Sequence, residues 1–138
     1  MAVGGGMLRL QTQGNGHIVD ITEGVARIVA TSGVERGLVT VFAIGATVGV
    51  TTMEYEAGGV ADLQRLLDRL IPAAGDYEHN RLNHDTNSHA HLRAALIGPS
   101  ETIPVIEGRL TLGTWQQIVL IDFDDRARER TVSVHVLC

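Results

Sequence analysis

Four of the six histidines, His79, His84, His89 and His91, fall within thirteen residues, beside Asp85 and Asn87. An imidazole changes charge near neutral pH, so it can act as acid, base or neutral metal ligand. His91 and His79 are therefore the candidate proton-transfer residues. Glu54 joins them as a carboxylate emerging from an apolar stretch, with a solvated strand end as its plainer account. His79, His89, His91 and Asp85 are the candidate ligands of a divalent ion, zinc or magnesium, although no HExxH run and no cysteine partner accompanies them. His84 is better explained as a loop residue bonded to backbone, and His17 and His135 as strand residues.

Whether His89 and His91 act together depends on local conformation. Two residues apart, they share a face of a strand but point roughly 200° apart on a helix. If His89 lies in the loop just ahead of the helix, both rings can converge on one ion. His91 at a helix start could also work beside backbone N–H groups that favour an anion. A phosphate would suit the guanidinium forks of Arg81, Arg93 and Arg109 with the hydroxyls of Ser100 and Thr102. Trp115, the only tryptophan, is by itself a core or interface anchor.

The elements that must position these residues follow from pattern. Residues 1–6 carry three glycines and no periodicity, which predicts a disordered lead. Met7 to Gln13 alternates as a strand, and Gly14-Asn15-Gly16 predicts a hairpin into His17 to Ile21. Thr22 is placed to cap a helix that Gly33 stops. The apolar run Gly37 to Val50 predicts a buried strand or strand pair, with Gly45 at a bulge or tight hairpin, continuing as Thr51 to Glu56. Val60, Leu63, Leu66, Leu67 and Leu70 form a helical stripe ended by Pro72. A helix over 89–96 with Ser88 at its start, strands over 100–106, 115–123 and 130–137, and a hairpin connection over 108–113 between the first two of these strands complete the chain. With no repeating βαβ unit, the expectation is an α+β domain over 7–138, with largely antiparallel sheets and two to three helices.

Bulk properties narrow the partners. At 138 residues, 44% hydrophobic and 20% charged, the chain fits one globular domain, and no apolar run is long enough to span a bilayer. A net charge of −5 with scattered arginines excludes a nucleic-acid binder. The single cysteine, Cys138, and the lack of an apolar signal core at the start predict a cytoplasmic location. Partners are expected to be a small phosphorylated metabolite and copies of the chain itself, with no membrane.

At Ser100 to Ile118, SETIPVIEGRLTLGTWQQI, the spacing of Ser100, Ile103, Val105, Gly108 and the block Gly113-Thr114-Trp115-Gln116 resembles the signature of the YjbQ-like family, described as secondary thiamine-phosphate synthases. The resemblance extends through Tyr77 to Asn80, Ala90-His91, Leu96 to Gly98, Asp20 to Thr22 and Ser32 to Val34. It implies a YjbQ-like sandwich, a homotrimer and a weak condensation of a pyrimidine methyl diphosphate with a thiazole phosphate, a reaction that uses Mg²⁺ in dedicated enzymes. His79, Asp85, His91, Ser100, Trp115, Gln116 and Glu54 fall on matching positions, so Trp115 and Gln116 join Arg93, Ser100 and Thr102 as candidate substrate contacts. Many members carry a His-Thr-Ser run where this chain has Gly45-Ala46-Thr47, and His89 is the candidate replacement for that histidine. Two other readings remain open: a binding protein for a metal or phosphometabolite that changes no bond, and a metal-dependent hydrolase with Glu54 as base.

Overall fold

Alternation of side chains decides which face of each strand is buried, and the computed structural model, describing residues 3–138, follows it closely. The elements are β1 (Val3–Thr12), β2 (His17–Asp20), α1 (Thr22–Ser32), β3 (Arg36–Ile44), β4 (Val48–Met53), α2 (Ala57–Leu70), α3 (Glu78–Asn83), α4 (Ser88–Ile97), β5 (Ser100–Ile106), β6 (Arg109–Leu110), β7 (Gln117–Asp122) and β8 (Arg128–Leu137). Two antiparallel sheets result, one in the order β1-β8-β3-β5-β6 and the other in the order β2-β7-β4. Val39, Val41, Val132, Val134, Ile103 and Val105 point from the larger sheet into the core it shares with Ile118 and Leu120 of β7. On the other face of β7, Val119 and Ile121 pack with Leu67 of α2 and Ala90 and Ala94 of α4. Strand β7 is apolar on both faces because both are covered. No helix among the described residues is long and apolar enough to cross a membrane.

Several expectations change. Residues 3–6 are not a disordered lead but the start of β1, with Gly4, Gly5 and Gly6 paired to Val136, His135 and Val134; Met1 and Ala2 lie outside the described residues. Gly4 and Gly6 lie where α1 crosses close above, and a Cβ at Gly6 would stand 3.2 Å from Ile28 Cδ1; a Cβ at Gly5 would instead meet the Val134 carbonyl of β8. Among the described residues the helices number four, since α3 is a six-residue helix without an apolar stripe to announce it. None of the three expected hairpins joins the strands it was expected to join; β5 turns back on the short β6, and β7 lies in the other sheet. β1 pairs with β8 and β2 with β7, so the turn over 14–16 carries the chain from one sheet to the other, and residues 45–47 do the same between β3 and β4. A turn signal specifies where the chain reverses, not which strand it then joins.

The link from β7 to β8 is the third crossing, and the three meet at one end of the sandwich. Asn15 and Gly16 donate to the carbonyls of Asp124 and Asp122 at 2.6 and 2.8 Å, and Phe123 donates to the carbonyl of Thr47 at 2.9 Å. Between them lies a buried polar network. The Arg130 guanidinium grips Asp122 through Nε at 2.7 Å and Nη2 at 2.8 Å, and Nη2 also reaches Thr47 Oγ1 at 2.6 Å. The Thr12 hydroxyl donates to Asp122, while Arg128 Nε at 2.6 Å and Thr47 Oγ1 at 3.1 Å donate to Asp124. Gly45, at φ 148°, makes room for this: a Cβ there would lie 2.9 Å from Arg130 Nη1 and 3.1 Å from Val48 Cγ1.

Removing one partner of a buried pair leaves the other charge unmatched, at about 3–5 kcal/mol. Arg130→Met is thus expected to lower the stability measured by denaturant unfolding by about that much, with Asp122→Asn in the same background restoring part of it. Burial alone would push the Asp124 carboxyl up, but the Asp125 backbone N–H and donors from Arg128, Asn87 and Thr47 outweigh it and hold the group at about 2, against 3.8 when free. A depressed carboxyl contributes stability above its unfolded value and loses it as pH falls through the folded one. Stability should therefore drop as pH falls from 3.8 towards about 2, and acid titration of Asp124→Asn should show a shallower fall across that window.

Candidate functional site

The histidine stretch is built around short polar bonds rather than an apolar core. Helix α3 ends at His84, which takes the left-handed conformation at φ 51° and ψ 49°, a role for its backbone rather than its ring. Asn80 holds the next turn: its carbonyl accepts from Asp85 N at 3.1 Å and its side-chain oxygen from Ser88 N at 3.1 Å. The loop is then tied to the third crossing, through the Thr86 hydroxyl on the Asp125 carboxylate and Asn87 Nδ2 on Asp124 Oδ1 at 3.4 Å. Arg81 pairs with Asp76 and Glu78 on the outer side of α3.

This scaffold brings His79 and His91 together, their ring centroids 4.7 Å apart and their planes inclined by 55°. His79 Nε2 lies 3.2 Å from Asn87 Oδ1 and 3.6 Å from Asp85 Oδ2. Because the Asn87 amide nitrogen is turned to the Asp124 carboxylate, its oxygen faces His79 and calls for a proton on Nε2. The basic lone pair of a neutral His79 is then on Nδ1. His91 lines an open cavity of about 350 Å³ with Gly45, Ala46, Val48, Ala94 and Pro99. Ser100 is exposed, directly after Pro99 at the start of β5.

His89 does not join them. Helix α4 begins at Ser88, two residues earlier than convergence requires, so helical phase turns His89 away from His91. Its side chain is 4% exposed and Nδ1 has no hydrogen-bond partner among the described residues. Burial first, and then the nearby Arg93 charge, lower its pKa from 6.5, which favours the neutral ring. Arg93 itself is buried and committed elsewhere. Its Nε and Nη2 donate to the carbonyl of Ile71 at 3.1 and 2.7 Å, and Nη2 to Asp68 at 3.1 Å, which closes the C-terminal end of α2. It is a structural residue rather than a phosphate contact.

The remaining candidates are dispersed. Glu54 is exposed just past the far end of β4, six residues from Val48 and so about 20 Å along the strand from the cavity. Trp115, 72% exposed, and Gln116, bonded to Thr52 Oγ1 and Gly113 N at 3.0 Å, lie at that same far end. Thr102 sits on the outer face of the larger sheet, 3.3 Å from the Thr40 hydroxyl. Of the expected metal ligands, His79, Asp85 and His91 are neighbours, but among the described residues no group of three or more His, Cys, Asp or Glu is set to hold an ion. Asn80 and Asp124 were not legible as site residues, although the adjacent pair Asp124-Asp125 was a signal of a polar anchor.

Comparison with known proteins places this geometry. The family model described as UPF0047 protein YjbQ-like matches residues 6–138. A UPF0047 protein of Methanothermobacter thermautotrophicus is 36% identical over 129 residues, covering 94% of this chain and 88% of the relative. One from Mycobacterium tuberculosis is 41% identical over 118 residues, covering 84% and 85%. The crystal structure of a YbjQ-like protein of unknown function from Sulfolobus solfataricus P2 superposes with a TM-score of 0.92 at 32% identity, covering 97% of this chain and 96% of that one. The uncharacterised YjbQ/UPF0047 protein of Clostridium acetobutylicum gives 0.87 at 36% identity, covering 95% and 98%. With the same sandwich and a match over nearly all of its length, the chain belongs to the UPF0047, YjbQ-like family.

Proposed function

We propose that His79 and His91 form a proton-transfer site for a small phosphorylated metabolite, and that the reaction served is the condensation of a pyrimidine methyl diphosphate with a thiazole phosphate. The observation that carries this reading is the fixed contact of the two rings, 4.7 Å apart beside an open cavity, with His79 oriented by Asn87. In that reaction the carbon–oxygen bond to diphosphate breaks, the thiazole nitrogen supplies the new bond to carbon, and diphosphate leaves. A protonated His91 at the cavity wall would donate to the leaving oxygen and regain its proton from solvent, and His79, with its proton on Nε2, would hold His91 in place. The apolar walls at Ala46, Val48 and Pro99 would exclude water from the developing cation. Arg93 being buried, charge on the diphosphate would be met by a divalent cation arriving with the substrate. Gly45 leaves the cavity without a third imidazole, which supports slow turnover.

A second reading rests on the His79, Asp85 and His91 neighbourhood. Two imidazoles and one carboxylate suit a zinc-class ion better than magnesium, which prefers oxygen ligands. This is the binding-protein or hydrolase alternative, with Glu54 too far away to act as its base in the same chain.

Self-association is proposed as well. Leu38, Phe42, Ile44, Ile106 and Leu137 alternate outward on the larger sheet and are 42–50% exposed. An apolar face of this kind on a small chain is a surface for a partner, and a second and third copy are the occupants the family resemblance implies.

His91→Ala and His79→Asn are each expected to cut condensation of the two precursors by about 10²-fold or more, with unfolding midpoints little changed. Wild-type turnover in His91→Ala would sink the proton-transfer reading, and stoichiometric zinc lost in that variant, without condensation in either protein, would establish the second. Phe42→Glu should shift the sedimentation coefficient towards that of a single chain; an unchanged value would remove the outer sheet face as the interface.

A further inference from the structure

The family-like segment Gly108 to Gln117 is not absorbed by the histidine site, because it stands at the other end of the sandwich. There it frames a cavity of about 490 Å³. One wall is a single face of α1, formed by Thr22, Ala26 and Ala30, four residues apart in turn. The facing wall is β6 and the loop that follows it. Both walls are held from outside the cavity. Thr22 Oγ1 accepts from Ile118 N at 2.8 Å, fixing α1 to β7. The Thr111 N–H and hydroxyl both donate to the carbonyl of Pro104, at 3.1 and 3.0 Å. Gln116 closes the loop on Gly113 from both its backbone and its side chain, and its amide nitrogen reaches Thr52. The space between the walls is therefore a property of the fold, left open because α1 lines it with the small side chains of Thr22, Ala26 and Ala30.

The lining has two chemistries. Ala26, Ala30, Leu110 and Leu112 offer an apolar surface, while Arg109 is the one charged group on the wall. Arg109 is exposed, and its guanidinium makes no hydrogen bond or ion pair with any described residue. It lines this open space together with Thr114. A planar fork with free donors at the edge of an apolar hollow matches a ligand with an apolar body and one terminal oxyanion.

We propose that this cavity is a second ligand site, taking a small molecule with an apolar ring or chain and a single carboxylate or phosphate held by Arg109. It is independent of the histidine site, lying at the opposite ends of β4 and β7.

The test is calorimetric titration of the full chain with phenyl phosphate, benzoate and inorganic phosphate, paired with amide chemical-shift mapping. Saturable binding of phenyl phosphate or benzoate is expected, with shifts centred on Arg109, Gly113 and Thr114. Whichever of the two binds more tightly identifies the oxyanion, and inorganic phosphate should bind least because it lacks the apolar body. Arg109→Gln should weaken binding by about tenfold or more, the loss of one charge-assisted contact. Ala26→Leu, at an exposed helix position that tolerates the larger side chain, should abolish binding by filling the hollow, and His91→Ala should bind as wild type does. No saturable binding of either aromatic probe would overturn the proposal. So would affinity unchanged in both Arg109→Gln and Ala26→Leu, or shifts centred on His91.

Discussion

A guanidinium enclosed between two sheets must be matched donor for donor, and the bidentate grip of Arg130 on Asp122 meets that demand where three chain crossings meet. Arg130 is 7% exposed and Asp122 fully buried. Such a pair is poor evidence of net stabilisation, since desolvation offsets much of its attraction. Its importance is geometric. With Thr12 from the end of β1, Thr47 from the second crossing and Asp124 from the third, it ties β1 and β8 of the larger sheet to β7 of the smaller one. Asp124 then extends the network outward to Asn87, and Asn87 sets the orientation of His79. The ring at the candidate site is thus three hydrogen-bonded steps from the core.

The sandwich separates its functional features by the length of its strands. At the crossing end lie the histidine pair and a small open cavity; at the other lie Glu54, Trp115, Gln116 and the larger hollow under α1. Strand β7 runs between them, packed on both faces and unable to bend without disturbing both cores. Any assembly that unites the two ends must do so between chains, by bringing the far end of one against the crossing end of another.

Much of the fold was legible in the sequence because burial imposes a period. The alternating valines of β8, the apolar run through β3 and β4, and the leucine stripe of α2 each show which face is covered, and Gly33 marks the stop of α1. What was not legible is long-range. The turns at Gly14–Gly16 and Gly45–Thr47 carry ordinary reversal signals, and nothing local distinguishes a hairpin from a sheet change. The opening glycines lack any pattern and yet pair with β8, because their value is the closeness they allow to Ile28 and Ser32. In the site, the pairing of His79 with His91 followed from their family positions, whereas His89 depended on two residues of helix phase. Arg93 has the right chemistry for phosphate, and only the tertiary structure shows that chemistry taken up by Ile71 and Asp68.

Gly45 fixes what this corner of the cavity can become. Any side chain at that position would need both a backbone φ that L-residues rarely adopt and the volume in which Arg130 Nη1 now lies. A Gly45→His substitution would therefore strike the pair that joins the crossings before it could add an imidazole to the cavity. New chemistry at this end of the sandwich is thus confined to residues that leave position 45 bare.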